Sequence, residues 1–240
     1  MRAVGKKIIM FRKKKAADAN APAIHGLSVT EARYTVFDTE LTGLDEKKDG
    51  IISMGAVKMT GGRIELGETF NMLANPGTNH MKPGSVIVHG ITPSELAEKP
   101  PIGQVLSGFL DFCGGDIVVG HMVSIDLAFI GKEMKRLPGR EFRNRAVDTF
   151  SLVEWLRKRG CRTGFPVSGK LHELARCLGI AVRQAHDALM DAFITAQLFQ
   201  RLIPLLAEEG VGDIEGLLRI GDPDKGGERH RFFSGEIGNF

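Results

Sequence analysis

The chain is organised around one stretch, Val36-Phe37-Asp38-Thr39-Glu40-Leu41-Thr42-Gly43, in which two acids follow an apolar run. A short apolar run of this kind is typical of a buried β-strand. Side chains at i and i+2 of a strand point to the same face, so Asp38 and Glu40 are expected to project side by side from the strand end. Adjacent carboxylates repel unless a cation neutralises them, and carboxylate oxygens are ligands that Mg²⁺ and Mn²⁺ prefer. Taken alone, the stretch predicts either a metal-binding pair or two solvated acids.

Two extended runs follow this strand and indicate a β-meander. They cover Ile51–Met59 and Arg63–Met72 and are separated by Thr60-Gly61-Gly62. A Gly-Gly pair between extended runs is typical of a hairpin turn. Together with the first strand, predicted over Arg33–Asp38, these runs are expected to form three antiparallel strands.

Short strands and helices alternate in the rest of the chain. We expect Ser124 to cap its helix and Pro204 to kink or end the longest one. Strands are predicted over Asp116–Gly120 and Ala146–Asp148, and helices from Pro93, over Val105–Phe112, from Ser124, and over Thr149–Arg159, Lys170–Leu178, Ala188–Leu206 and Ile214–Leu218. A meander followed by such alternation predicts an α/β fold. Helices would flank a central mixed sheet of three antiparallel strands and then parallel strands.

Composition places the chain among ordinary globular proteins. Its 240 residues are 42% hydrophobic and 25% charged, and no apolar run approaches the length of a membrane span. The run Ile8–Phe11 is too short for the core of a signal peptide. Three scattered cysteines, Cys113, Cys161 and Cys177, lack the spacing of a zinc site and suit reduced thiols. We therefore expect a cytoplasmic protein without a disulfide framework.

The net charge of +3 conceals an asymmetry between the two parts of the chain. Residues 1–15 hold seven of the 32 basic residues and no acid, so 25 basic residues face 29 acids elsewhere, about −4. A basic segment on a mildly acidic body suits a protein that binds a polyanion and needs cations at an acidic site, although a solvated tail is the alternative. We predict a basic extension over 1–30, one domain over 31–208, and a short helix with a loose tail over 209–240.

Three further segments carry residues with chemical potential. Gly120–Asp126 places an acid in the first turn of a helix, and His186–Asp191 places a histidine and an acid at the start of the longest helix. Val88–Ile91 places a histidine beside a glycine in a loop. Each has a structural explanation when taken singly, since an acid near a helix N-terminus interacts favourably with the helix dipole.

Taken in order, the motifs FDTELTGL (37–44), HGIT (89–92), GHMVSID (120–126) and HDALMDA (186–192) resemble those of the DnaQ-like 3′–5′ exonuclease family. The histidine five residues before the last acid is similar to the DEDDh branch of that family. The resemblance extends from about residue 33 to residue 206. It implies an RNase H-like fold with a central mixed sheet of five strands, in agreement with the predicted elements.

The resemblance also implies roles for individual residues. The acids that match the family's ligands for two divalent ions, Mg²⁺ or Mn²⁺, are Asp38, Glu40, Asp126 and Asp191. The residue that matches the general base is His186, and a histidine titrates near neutral pH. The residues that match contacts with the terminal nucleotide are Thr39, Leu41, Thr42 and His89. Met122 and Ile125 depart from the Asn and Phe of many relatives, which affects substrate positioning but no metal ligand.

The expected activity is metal-dependent release of nucleoside monophosphates from the 3′ ends of single-stranded DNA. Two metal ions would clamp the attacking and leaving oxygens and offset the developing charge. DNA is favoured over RNA, and a DNA polymerase is a candidate partner, with no membrane involved. Two alternatives stay open: an exoribonuclease that trims RNA 3′ ends, and a catalytically silent module that binds nucleic acid.

Overall fold

The computed structural model describes residues 26–77, 89–160, 164–182 and 186–225. Three predicted features lie outside these ranges. They are the basic extension up to residue 25, Cys161, and the tail from residue 226.

Five strands form one mixed sheet in the order β3-β2-β1-β4-β5. The strands are β1 (Arg33–Leu41), β2 (Ile51–Thr60), β3 (Arg63–Leu73), β4 (Ile117–Gly120) and β5 (Ala146–Asp148). The first three pair antiparallel, while β4 runs parallel to β1 and β5 runs parallel to β4. This topology confirms the predicted sheet. Strand β1 continues past the predicted end at Asp38, because Glu40 still pairs with Ser53 of β2.

Seven helices of the described residues cover the sheet. They are α1 (Pro93–Ala97), α2 (Ile102–Cys113), α3 (Ser124–Met134), α4 (Thr149–Lys158), α5 (Leu171–Cys177), α6 (Ala188–Glu208) and α7 (Ile214–Ile220). Asp148, Asp187 and Asp213 cap their helices with side-chain hydrogen bonds. Ser124 is the first residue of α3 rather than its cap, and α6 continues through the exposed Pro204 to Glu208.

Side-chain alternation along β1 divides the core into two layers. Tyr34 and Val36 face the layer that contains Phe199 of α6, while Phe37 faces the layer formed with Phe109 of α2 and with α3. Tyr34 meets Phe199 edge to face at 5.1 Å, and Phe37 meets Phe109 at 5.2 Å. The two faces of β1 are therefore buried against different helices. The same alternation continues through Asp38, Thr39 and Glu40.

Helix α6 is long and apolar enough, by length and composition alone, to cross a membrane. The prediction that no apolar run has this length was wrong in that narrow sense. The helix packs against the sheet, and residues such as Ile194, Leu198 and Leu202 are fully or almost fully buried. Burial in the protein core therefore accounts for its apolar character.

Chain segments on both sides of the predicted limits 31 and 208 pack on the same core. The N–H of Val29 donates to Gly212 at 2.9 Å, and the N–H of Ile214 donates to Leu27 at 3.1 Å. Val29 and Ile214 are both buried in the layer that contains α6. The folded unit therefore includes α7 and the residues just before β1.

Gly55 allows the N-terminus of α6 to approach the sheet closely. It lies opposite Asp38 in the β1–β2 pairing. A Cβ atom at this position would lie 2.2 Å from the backbone nitrogen of Leu189 and 2.3 Å from the carbonyl carbon of Ala188. Backbone atoms cannot rotate away as a side chain does, so any larger residue must displace the start of α6 from β2.

The substitution Gly55→Ala is expected to lower the free energy of unfolding by about 1–3 kcal/mol, the usual cost of overpacking a tight interior. Urea denaturation of the variant and the wild type measures this change. Gly67→Ala is the matched control, because a Cβ atom at Gly67 of β3 meets nothing within 4 Å. Equal stability of the Gly55→Ala variant and the wild type would show that α6 does not depend on this contact.

Candidate active site

Three carboxylates converge where β1 meets the start of α6. Asp38 and Glu40 continue the row of side chains that faces α6, and Asp191 lies in the first turn of that helix. One oxygen from each of the three lies within 4.8 Å of the others. Glu40 and Asp191 are buried, whereas Asp38 is partly exposed. Strand alternation and the close approach at Gly55 together produce this cluster, in which the predicted acids Asp38, Glu40 and Asp191 meet.

Asp126 lies near the cluster, on the opposite helix layer, and its charge acts on Asp38 and Glu40, although it is not one of the three acids within 4.8 Å of one another. It lies in the first turn of α3 and is buried, and its Oδ1 accepts a hydrogen bond from the hydroxyl of Thr39 at 2.5 Å. Thr39 alternates with Asp38 along β1 and so faces α3. Its hydroxyl holds the Asp126 carboxylate in place. The predicted contact of Thr39 with a nucleotide stays a prediction, and the structure gives its side chain this second partner.

The loop after β1 occupies the side chains of two other predicted substrate contacts. Thr42 is fully buried, and its hydroxyl donates to Asp49 at 3.3 Å and accepts from the N–H of Gly50 at 3.0 Å. The ammonium of Lys132 in α3 donates to the backbone carbonyl of Asp49. Leu41 packs against the layer that contains α2 and α3. The N–H of Thr42 is also used, because it donates to the carbonyl of Gly50 at 2.9 Å. These contacts make the loop a fixed wall beside the acids, and the predicted contacts of Leu41 and Thr42 with a nucleotide stay predictions.

Burial and mutual repulsion raise the pKa values of the acids. The pKa of Glu40 rises to about 8, first because of desolvation and then because of the charges of Asp191, Asp126 and Asp187. Desolvation raises the pKa of Asp126 to about 7, although the hydrogen bond from Thr39 acts in the opposite direction. The pKa of Asp38 lies well above its usual range because of desolvation and then the charge of Asp126. The folded protein therefore disfavours a fully ionised, unaccompanied cluster.

The donor set fits divalent cations. No Lys or Arg among the described residues forms an ion pair with any of the four acids. Buried charges are ordinarily paired or coordinate metals. Carboxylate oxygens are the ligands that Mg²⁺ and Mn²⁺ prefer, and their close spacing lets several act on one ion. Asp38, Glu40 and Asp191 could together hold such an ion, and the ligand role of Asp126 stays a prediction.

His186 lies beside the cluster in a strained backbone conformation. Its φ angle is +67°, and its N–H donates to Oδ2 of Asp191 at 3.1 Å. Positive φ is uncommon for residues other than glycine, and strain of this kind concentrates at functional sites. The residue is exposed, so its imidazole is accessible to a substrate or to water. The structure thus brings the predicted general base next to a predicted metal ligand.

His89 carries a buried ring nitrogen that lacks a hydrogen-bond partner among the described residues. Its Nδ1 accepts from the N–H of Ile91 at 3.1 Å, while Nε2 has no partner. Burial, and next the charge of His186, lower the pKa of His89. A buried polar atom without a partner is the kind of group that a bound ligand satisfies. The predicted contact of His89 with substrate stays a prediction.

Sequence reasoning missed two residues that order the site. His172 of α5 lies 2.7 Å from Asp191, measured from Nε2 to Oδ1. Asp148 is fully buried and accepts from the N–H of Met122 at 2.7 Å, which holds Met122 at a φ angle of +54° just before α3. In each of these two contacts, the residues that meet lie far apart in the chain, so no local sequence pattern predicts the contact. The Asp148 cap alone was open to prediction, because an acid directly before a helix is a common N-cap.

Comparison with known proteins identifies relatives of this chain. The model of the RNase T exonuclease family matches residues 35–199. The chain is 36% identical to the DNA polymerase III subunit epsilon of Aquifex aeolicus, over 80% of this chain and 92% of that protein. It is 32% identical to the DNA polymerase III PolC-type protein of Thermotoga maritima, over 84% of this chain but 14% of that protein.

Solved structures share the fold. The zinc-bound complex of Escherichia coli exonuclease I with single-stranded DNA superimposes with a TM-score of 0.64 and 19% identity, over 75% of this chain and 42% of that chain. The shared architecture is the RNase H-like fold, in which a mixed sheet of five strands is flanked by helices. Because the family model covers most of the sequence and the epsilon subunit matches over nearly its whole length, the chain belongs to the RNase T exonuclease family and is a DnaQ-like 3′–5′ exonuclease.

Proposed function

We propose that this exonuclease removes nucleoside monophosphates from the 3′ ends of single-stranded DNA by a two-metal mechanism. The observation that carries the proposal is the convergence of Asp38, Glu40 and Asp191, near which Asp126 lies. No Lys or Arg of the described residues forms an ion pair with these acids. The family depends on divalent metal, and this donor set suits Mg²⁺ or Mn²⁺. When bound, such ions would offset the charge that develops on the attacking and leaving oxygens.

His186 is the proposed general base. Its exposed imidazole can take a proton from a water molecule as the water oxygen forms a bond to phosphorus. The bond between phosphorus and the 3′ oxygen breaks, and this oxygen takes up a proton from water. The shortened strand then ends in a 3′-hydroxyl, and a nucleoside 5′-monophosphate is released. General-base catalysis requires a group that titrates near the working pH, and histidine is the side chain that meets this condition without perturbation.

The nature of the substrate is supported by relatives. The E. coli structure with the same fold contains single-stranded DNA and zinc, and the Aquifex relative is named as a subunit of a DNA polymerase. We therefore propose DNA over RNA, and a DNA polymerase as the partner in a proofreading role. Localisation in the cytoplasm is proposed from the scattered cysteines, whose spacing suits neither a disulfide framework nor a zinc site. Trimming of RNA ends and silent binding are the alternatives that the first experiment below distinguishes.

Single-stranded DNA labelled at its 5′ end is expected to shorten from the 3′ end with the label retained, and only with Mg²⁺ or Mn²⁺ present. RNA of the same sequence should shorten more slowly. The reaction is followed on a denaturing gel. Asp38→Asn should abolish shortening, because it removes a ligand charge at nearly constant shape.

Each possible outcome of this experiment has a clear meaning. Faster shortening of RNA would support the RNA-trimming alternative. Binding of both strands without shortening would support a silent module. Wild-type activity of Asp38→Asn would place the active site elsewhere.

Loss of the imidazole at position 186 is expected to lower turnover by about 10²–10⁴-fold, the usual contribution of general-base catalysis. Two variants separate chemistry from backbone strain. His186→Ala keeps the strained φ angle of +67°, whereas His186→Asn places there a residue that tolerates this conformation. Both should lose turnover while calorimetry still detects Mn²⁺ binding. A His186→Asn enzyme with normal turnover at neutral pH would contradict the assignment.

Metal-free protein is expected to lose stability as the pH rises from about 5 to about 8. The folded-state pKa of Glu40, about 8, lies above its ordinary value of 4.5, so the folded state retains a proton that the unfolded state has lost in this range. Stability falls with pH wherever the folded state binds more protons. Urea denaturation in EDTA at several pH values measures the slope, and Glu40→Gln should reduce it and be more stable than the wild type at pH 8.

The matched control for this measurement is Glu46→Gln, because Glu46 is exposed in the loop after β1. It should leave the slope unchanged. Adding Mg²⁺ should restore stability to the wild type at pH 8, by about 2.7 kcal/mol at a hundredfold excess over the dissociation constant. An identical slope in Glu40→Gln and wild type would show that the acid cluster does not cause it.

A further inference from the structure

His172 contacts both a proposed metal ligand and the proposed base. It lies in the first turn of α5, and its Nε2 is 2.7 Å from Oδ1 of Asp191. Its ring also meets the ring of His186 edge to face, with centroids 5.5 Å apart. The side chain is only 18% exposed, so these contacts are made largely out of solvent.

The contacts of Asp191 show what His172 can do. An ionised carboxylate only accepts hydrogen bonds, so Nε2 of His172 donates to Oδ1. The N–H of His186 donates to the other oxygen, Oδ2, at 3.1 Å. One donor on each oxygen fixes the rotation of the carboxylate about its terminal torsion, which is otherwise broad. One oxygen of this carboxylate lies within 4.8 Å of an oxygen of Asp38 and an oxygen of Glu40, so its rotation decides which lone pairs the cluster offers to an ion.

The helix that carries His172 is anchored firmly in the protein core. Leu174 and Ala175 of α5 are fully buried in the layer that contains α6, so the helix that carries His172 is anchored in the core. Asp191 is itself 8% exposed. The backbone of α5 is therefore anchored where it places His172 beside Asp191. A histidine that served only to fill space would not need its donor aimed at a carboxylate oxygen.

We propose that His172 is a positioning residue that orients the Asp191 carboxylate for metal binding and steadies the ring of His186. This inference rests on the proposed function, because it assumes that Asp191 is a metal ligand. Hydrogen-bond partners of metal ligands are typically worth about 10–100-fold in metal affinity or activity. His172 would therefore tune the metal site without touching the substrate.

Two substitutions at this position separate the hydrogen bond from the ring. His172→Phe keeps an aromatic ring against His186 but removes the donor. His172→Gln removes the ring but keeps an N–H donor, because the amide nitrogen lies as many bonds from Cβ as Nε2 does. Arg176→Ala is the matched control, since Arg176 is exposed on the same helix. Asp38→Asn is the reference for loss of a proposed ligand.

The experiment is calorimetric titration of the metal-free protein with Mn²⁺, together with urea denaturation in EDTA. We expect His172→Phe to weaken Mn²⁺ binding by about 10–100-fold and His172→Gln to recover most of that loss. The urea midpoints in EDTA should stay close to the wild-type value, and Arg176→Ala should bind Mn²⁺ normally. In single-strand shortening, His172→Phe should require more Mn²⁺ for half-maximal rate while KM for the oligonucleotide is unchanged.

The outcomes distinguish this inference from the proposed function. If Asp38→Asn loses Mn²⁺ binding but His172→Phe binds as the wild type does, the inference is overturned and the metal site stands. If Asp38→Asn and the wild type take up Mn²⁺ equally, the proposed metal site is wrong and the inference falls with it. If His172→Phe and His172→Gln are weakened equally, the donor is not what matters and the inference is overturned.

Discussion

Electrostatic repulsion among the clustered carboxylates is the force that the rest of the structure has to oppose. Asp38, Glu40 and Asp191 bring oxygens within 4.8 Å of one another, and the charge of Asp126 acts on Asp38 as well. Each repulsive interaction is stronger than it would be in water, because the interior screens charge poorly. Strand β1 resists it by pairing with β2 on one side and β4 on the other, and α6 resists it by packing along the sheet. Perturbed acids in a cluster of this kind are characteristic of functional sites.

Neutral donors then orient the acids without cancelling their charge. The hydroxyl of Thr39 donates to Asp126, and the backbone N–H of His186 donates to Asp191. Each bond fixes a carboxylate, but neither supplies the full positive charge that a Lys or Arg would bring. The negative charge that remains is what attracts divalent cations. The fold thus separates two tasks, since its own groups provide geometry and leave neutralisation to bound ions.

The sheet could be predicted because strand alternation and turns are local patterns, whereas the ligand roles of the four acids follow from the family resemblance and stay predictions. Alternation along β1 and the Gly-Gly hairpin act over a few residues, and both were correctly interpreted. The predicted cap at Ser124 was wrong, because Ser124 is the first residue of α3. The partners of Thr39 and His172 could not be predicted in this way, because they lie 87 and 19 residues away in the chain. The fully buried hydroxyl of Thr42 was missed for a similar reason, since its role depends on how the loop after β1 closes. A tertiary contact made by a single polar atom produces no periodic pattern in the sequence.

Two strained residues at the edge of the site make the same kind of backbone hydrogen bond. Met122 and His186 are the non-glycine residues with positive φ among those described, and the N–H of each donates to a buried carboxylate, of Asp148 and of Asp191 respectively. Asp148 is also the cap of α4, where its side chain accepts from the N–H of Phe150. Asp191 has a second proposed task as a metal ligand, so removing it would release the backbone of His186 together with the ligand. A loss of activity in an Asp191 variant would therefore not separate metal binding from support of the His186 backbone. The side chain of Asp38 accepts from no backbone N–H in the described structure, so an Asp38 variant reports on metal binding directly.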